Sequence, residues 1–161
     1  MKIVADENIP YVKEAFASLG EITTLPGRSM AQKDLEDAEI LLVRSVTQVN
    51  EQLLKNTAVK YVASATIGFD HLDAEYLEKR GIPWATSPGC NATAAAEYVV
   101  AALFHIASVK RISLNGMTAG IIGCGNVGSR VKQRLTALGV NCIVNDPPLQ
   151  EREPHQNFVK L

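Results

Sequence analysis

"AGIIGCGNVGSRVKQRLTALGVNCIVND", residues 119–146, decides how the chain is read. The apolar run "AGIIG" passes directly into Gly123-x-Gly125-x-x-Gly128. In the helix-like stretch that follows, Val127, Val131, Leu135 and Leu138 share one stripe, with Arg130, Lys132 and Arg134 off it. "VNCIVND" then restores a strand pattern. A glycine turn between a buried strand and a helix suits pyrophosphate. The first glycine makes the tight turn, the second admits phosphate to the backbone, and the third lets helix approach strand. Free N–H groups of the first helical turn, around Asn126 and Val127, hold the anion. Asp146 ends the second strand, 18 residues beyond Gly128. A carboxylate there accepts from an adenosine ribose and repels a 2′-phosphate, so NAD is expected rather than NADP.

The pattern before this unit is of the same class. "KIVA" (2–5), "EITTL" (21–25), "EILLVR" (39–44), "VKYVA" (59–63) and "IPWAT" (82–86) read as strands. Between them lie helix-like segments: one capped by Asn8 with Pro10 in its first turn, one starting near Asp34, one capped by Asn50, and "LDAEYLEKRG" (72–81). Short, almost wholly apolar strands alternating with helices indicate a parallel sheet covered on both faces. The fold class is therefore α/β. "SPGCN" (87–91) breaks the pattern, and "ATAAAEYVVAALFHIA" is apolar nearly all round, as a helix buried between two layers would be. The expected organisation is a first domain over residues 1–92 and a second over 93–161, with the tail "PPLQEREPHQNFVKL" loop-like.

Composition narrows the function classes. Sixteen Lys+Arg against 17 Asp+Glu leave a net charge of −1, so no broad basic field exists for nucleic acid, though a local pocket for a small anion remains allowed. The apolar stretch 92–107 contains Glu97 and His105 and falls short of the ~20 residues a bilayer demands, so no membrane partner is expected. Cys90, Cys124 and Cys142 show no CxxC or Cys/His ligand spacing; they read as reduced thiols of a cytoplasmic protein, and no metal site is expected.

Parallel sheets place ligands beyond the carboxyl ends of their strands. In the first domain those ends carry "DEN" (6–8), "RSVT" (44–47) and "SATIGFD" (64–70). Ser45, Thr47 and Thr66 offer hydroxyls, Arg44 a cation, and Gly68 a close backbone approach, a set suited to carboxylate or phosphate. His71 reads as a turn or surface residue, His105 as a packing residue of the buried helix, and His155 as part of a polar tail. None has a carboxylate spaced to orient it as an acid or base.

"TIGFDHLD", "SPGCNATAAAEYVVAALFHIA" and "GIIGCGNVGSR" together resemble the D-2-hydroxyacid dehydrogenase family along almost the whole chain. The resemblance implies a flavodoxin-like substrate subdomain followed by the first βαβ of a Rossmann NAD-binding domain. It also implies NAD-linked oxidation of a small phosphorylated 2-hydroxy acid, and a homodimer in the full-length form. Ser45 and Thr66 match substrate-binding positions; Gly123, Gly125, Asn126, Val127, Gly128 and Asp146 match cofactor positions. The family's catalytic Arg, Glu and His come later in its polypeptide than residue 161. No catalytic residue is assigned here, and the chain as given is expected to be a truncated form that does not turn over. A non-catalytic NAD-binding or interaction module on the same scaffold is the alternative.

Overall fold

The computed structural model describes residues 1–153 and 158–159. They form two compact units, Met1–Pro88 and Gly89–Leu161, which divide inside the "SPGCN" break.

The first unit is a five-stranded sheet. Its strands are β1 (Lys2–Asp6), β2 (Glu21–Leu25), β3 (Ile40–Val43), β4 (Tyr61–Ser64) and β5 (Trp84–Ala85), with α1 (Val12–Phe16), α2 (Glu51–Leu54) and α3 (Ala74–Lys79) between them. All pairings are parallel and the order is β2-β1-β3-β4-β5, the flavodoxin-like arrangement. The apolar strands are explained by burial on both faces. Ile3, Ala5 and Leu42 pack with Val12 on one side, while Val4, Leu41 and Val43 pack with Leu35, Leu54 and Leu77 on the other. At about 1.5–3 kcal/mol per fully buried aliphatic side chain, this two-sided core dominates the unit's stability.

Local signals decide the helix ends, with two corrections. Asn50 Oδ1 accepts from Leu53 N–H at 3.2 Å and Asp73 Oδ1 from Tyr76 N–H at 3.0 Å, so α2 and α3 begin at capped positions. Asn8, read as a cap, is not one. Its N–H and Nδ2 both donate to Asp6 Oδ1, and α1 begins after Tyr11. The carboxylate two residues upstream satisfies Asn8 locally and removes it from the helix. The segment near Asp34 is a short 3-10 turn, Gln32–Leu35, in which Asp34 accepts from Ala31 N–H at 2.9 Å.

The second unit comprises α4 (Ala92–Lys110), β6 (Thr118–Ile122), α5 (Asn126–Ala137), β7 (Asn141–Asn145) and α6 (Pro147–Arg152). β6 and β7 are parallel in register Thr118↔Asn141 through Ile122↔Asn145, joined by α5. The tail was expected to be a loop, but its start is helical. Asp146 Oδ1 accepts from Leu149 N–H at 2.9 Å with prolines in the first turn, where their missing N–H costs nothing. His155 lies outside the described residues. Val159 N–H reaches the Val144 carbonyl at 2.8 Å, and Asn145 Nδ2 the Val159 carbonyl at 2.7 Å, so the outer strand meets a further piece of chain.

α4 departs from expectation. Only Ala92, Ala96 and Ala107 are buried; Val100 and Leu103 pack partly with Val131 and Leu135 of α5, while Tyr98, Phe104, Ile106 and Val109 are exposed, as is His105. The unit provides one packing layer for this helix, so one stripe is covered rather than the whole circumference. Nineteen residues long with mean hydropathy 1.5, α4 also meets the length and composition of a membrane span. Packing against α5 accounts for one stripe of that composition, Ala96, Val100 and Leu103.

Candidate functional site

Two groups of sequence-marked residues take definite positions. In the first unit, the chain leaves the carboxyl end of β3 through a turn closed by Thr47 N–H to the Arg44 carbonyl at 3.2 Å, which puts Ser45 at its exposed tip. After β4 the chain carries Thr66, Gly68, Asp70 and His71. Together with Ser45 and Gln48 these four line an open depression of about 460 Å³. Ser45 and Thr66 are thus brought to one place. Thr47 is not part of it: the side chain is buried and its hydroxyl donates to the Gly27 carbonyl at 3.0 Å. Next to that bond lies Asp6, fully buried, with Oδ2 lacking a hydrogen-bond partner among the described residues. A Cβ on residue 27 would collide with this oxygen, so glycine is required there by its neighbour rather than by its backbone angles.

His71 lies in a turn, one of its two readings, but not at the surface. It is 5% exposed, and its Nε2 lies 2.8 Å from the Oγ of Ser64, itself 2% exposed. Ser64 Oγ in turn lies 2.7 Å from Thr66 Oγ1. Burial lowers the His71 pKa below its ordinary 6.5, with the Asp70 carboxylate opposing in part. The reading missed Ser64 as well. The available signal was Ser64 and Thr66 two apart at a strand end, which puts both on one face.

In the second unit the glycines behave differently from one another. Gly123 has φ +83°, a backbone that side chains rarely adopt, and a Cβ there would meet open space. A Cβ on Gly125 also meets nothing within 4 Å. A Cβ on Gly128 would instead strike the Gly123 carbonyl, so α5 packs against the turn only because residue 128 has no side chain. α5 begins at Asn126 and Val127, after Gly125 and without a side-chain cap, which leaves first-turn N–H groups for a ligand. Asp146 stands at the end of β7 with both oxygens used: Oδ2 accepts from Cys124 N–H at 2.6 Å and Oδ1 from Leu149 N–H. Those two donors, and then Arg152, hold its carboxyl below the ordinary 3.8. An ionised carboxylate has about four acceptor sites, so a ribose hydroxyl can still be received. Open space over two glycines, free helix N–H groups and an ionised acid fit a dinucleotide's pyrophosphate and ribose.

Known proteins resemble the chain along nearly its whole length. The family description "D-isomer specific 2-hydroxyacid dehydrogenase, catalytic domain" matches residues 2–139. An erythronate-4-phosphate dehydrogenase of Hahella chejuensis is 52% identical over 161 residues, covering 100% of this chain and 42% of the relative. The enzyme of the same name from Salmonella arizonae is 48% identical over 158 residues, covering 98% and 42%. The chain therefore spans less than half the length of these relatives. Among solved structures, an NAD+-bound 3-phosphoglycerate dehydrogenase of Entamoeba histolytica superposes with TM-score 0.76 at 28% identity, covering 100% of this chain and 57% of the other. The apo D-lactate dehydrogenase of Escherichia coli shares the fold, with TM-score 0.77 at 20% identity over 99% and 60%. A match over residues 2–139, carried by a flavodoxin-like sheet and a glycine-turn βαβ, settles the assignment: the chain belongs to the D-isomer specific 2-hydroxyacid dehydrogenase family.

Proposed function

We propose that this chain carries the substrate-docking and part of the cofactor-docking machinery of an erythronate-4-phosphate dehydrogenase. That enzyme oxidises 4-phosphoerythronate at its 2-hydroxyl to the 2-oxo acid, in the synthesis of pyridoxal phosphate in the cytoplasm, as a homodimer in full-length form. The 52% identity over the entire chain carries this reading. On it, Ser45 and Thr66 donate to an anionic group of the substrate, and Asp70 on the same depression accepts from one of its free hydroxyls. The backbone of Gly123, Gly125, Asn126, Val127 and Gly128 holds the NAD pyrophosphate, and Asp146 the adenosine ribose. When bound, the nicotinamide supplies the hydride acceptor.

The chain's own residues bind and orient. Removal of the 2-hydroxyl proton is assigned to the part of the relatives' length that this chain does not span. Calorimetry tests the reading directly. The chain should bind NAD and 4-phosphoerythronate separately. Ser45→Ala and Thr66→Val should each weaken only the second, by about tenfold, as expected for one hydrogen bond to a charged group. Binding of neither ligand, or of both unchanged in every variant, overturns the reading.

A further inference from the structure

The depression between the β3 and β4 loops is backed by three polar side chains in line: Thr66 Oγ1, Ser64 Oγ and His71 Nε2, at successive separations of 2.7 and 2.8 Å. A hydroxyl carries one proton, so each donates once. Thr66 Oγ1 has the Gly68 carbonyl at 3.4 Å as its own acceptor, and a carbonyl cannot donate in return. Satisfying that contact commits the Thr66 proton outward. The Ser64–Thr66 contact must then be made by the Ser64 proton. The Ser64–His71 contact must be made by a proton on His71 Nε2. One assignment satisfies all three contacts, and it runs outward from the buried imidazole.

From this we infer that His71, acting through Ser64, is a positioning residue that fixes Thr66 as a hydrogen-bond donor toward the depression. The inference rests on the reading that an anionic substrate group docks at Ser45 and Thr66. The opposite polarity, with a bare Nε2, would draw the Thr66 proton inward and turn lone pairs toward the ligand. Phosphate and carboxylate oxygens need donors and would be repelled by that face. The Gly68 contact is long for a hydrogen bond, so an incoming oxyanion can take its place with little loss. Ser64 and His71 are both buried, so water does not compete for the relay.

Nitrogen-15 spectra of histidine-labelled chain, recorded somewhat above neutral pH, decide the polarity with or without ligand. A His71 imidazole protonated at Nε2 and bare at Nδ1 is expected; the Nδ1–H tautomer overturns the inference. Titration with inorganic phosphate and with 4-phosphoerythronate provides a second readout. Ser64→Ala and His71→Leu should each weaken binding about tenfold with Thr66 intact. His71→Gln, whose amide N–H can replace the ring donor, should restore it and also serves if the leucine variant does not fold. Unchanged affinity in Ser64→Ala overturns the relay. Unchanged affinity in Thr66→Val instead overturns the placement of the substrate, so the two failures are told apart.

Discussion

The Asp146 carboxylate accepts a hydrogen bond of 2.6 Å from the backbone N–H of Cys124, in the centre of the glycine turn. Its second oxygen caps α6 through Leu149. The residue read from the sequence as a ribose ligand is therefore also a clamp that ties the end of β7 to the turn after β6. Asp146→Ala should speed hydrogen exchange at the Cys124 and Leu149 amides as well as weaken NAD binding. Loss of NAD affinity with both amides still protected would show that the clamp is not stabilising.

The clamp also carries a pH dependence. Its donors hold the carboxyl below 3.8 in the folded chain, so the unfolded chain takes up protons first as acid is added. The stabilisation is complete above that ordinary value and is lost as pH falls through the lowered one. Acid unfolding of Asp146→Asn should lack this component.

His71 gives a dependence nearer neutrality. Its folded pKa lies below 6.5, so below that pH the unfolded chain binds a proton that the folded chain resists. Stability should fall as pH drops from 6.5 toward the lowered value, then level off. Urea midpoints at several pH values check this. A slope of equal size in His71→Gln would assign the effect elsewhere.

Two glycines of one turn should separate folding from binding. Gly128→Ala places a methyl group against the Gly123 carbonyl and should cost about 1–3 kcal/mol, with faster exchange along α5. Gly125→Ala meets open space and should leave stability within about 0.5 kcal/mol. Calorimetry should nevertheless show NAD affinity reduced at least tenfold, because the methyl group occupies the pyrophosphate's approach. Equal stability losses in both variants would contradict the geometry.

Core and surface should differ as sharply. Leu77→Ala removes a fully buried side chain of the first unit and should cost about 2–5 kcal/mol. Tyr98→Ser, on the uncovered side of α4, should change stability by less than about 0.5 kcal/mol. Denaturant titration of both variants measures the contrast.

Elements whose signal is local and dense were legible in the sequence. The central strands β1 and β3 were readable because burial on both faces demands continuous apolar runs, and the glycine turn because each glycine has its own physical cause. Asn50 caps as its spacing indicates, whereas Asn8 does not, because Asp6 captures it first. α6 was missed because a Pro-Pro pair reads as loop until the preceding Asp146 is recognised as its cap. The fate of α4 depends on how many layers a unit supplies, which composition does not encode. His71 was misjudged for a related reason. Its polarity suggests a surface, and only the partner that β4 supplies makes burial tolerable.

The bond from Thr47 to the Gly27 carbonyl fastens the loops after β2 and β3 to each other, with Asp6 at the end of β1 filling the space that a side chain at 27 would need. Ser45 stands two residues from that fastening, on a turn already closed. The freedom such a loop would otherwise surrender on meeting a ligand is surrendered during folding. The carboxyl edge of this sheet is thus a rigid surface before any ligand arrives. Changes at Asp6, Gly27 or Thr47 would register first as slower, looser capture rather than as altered chemistry.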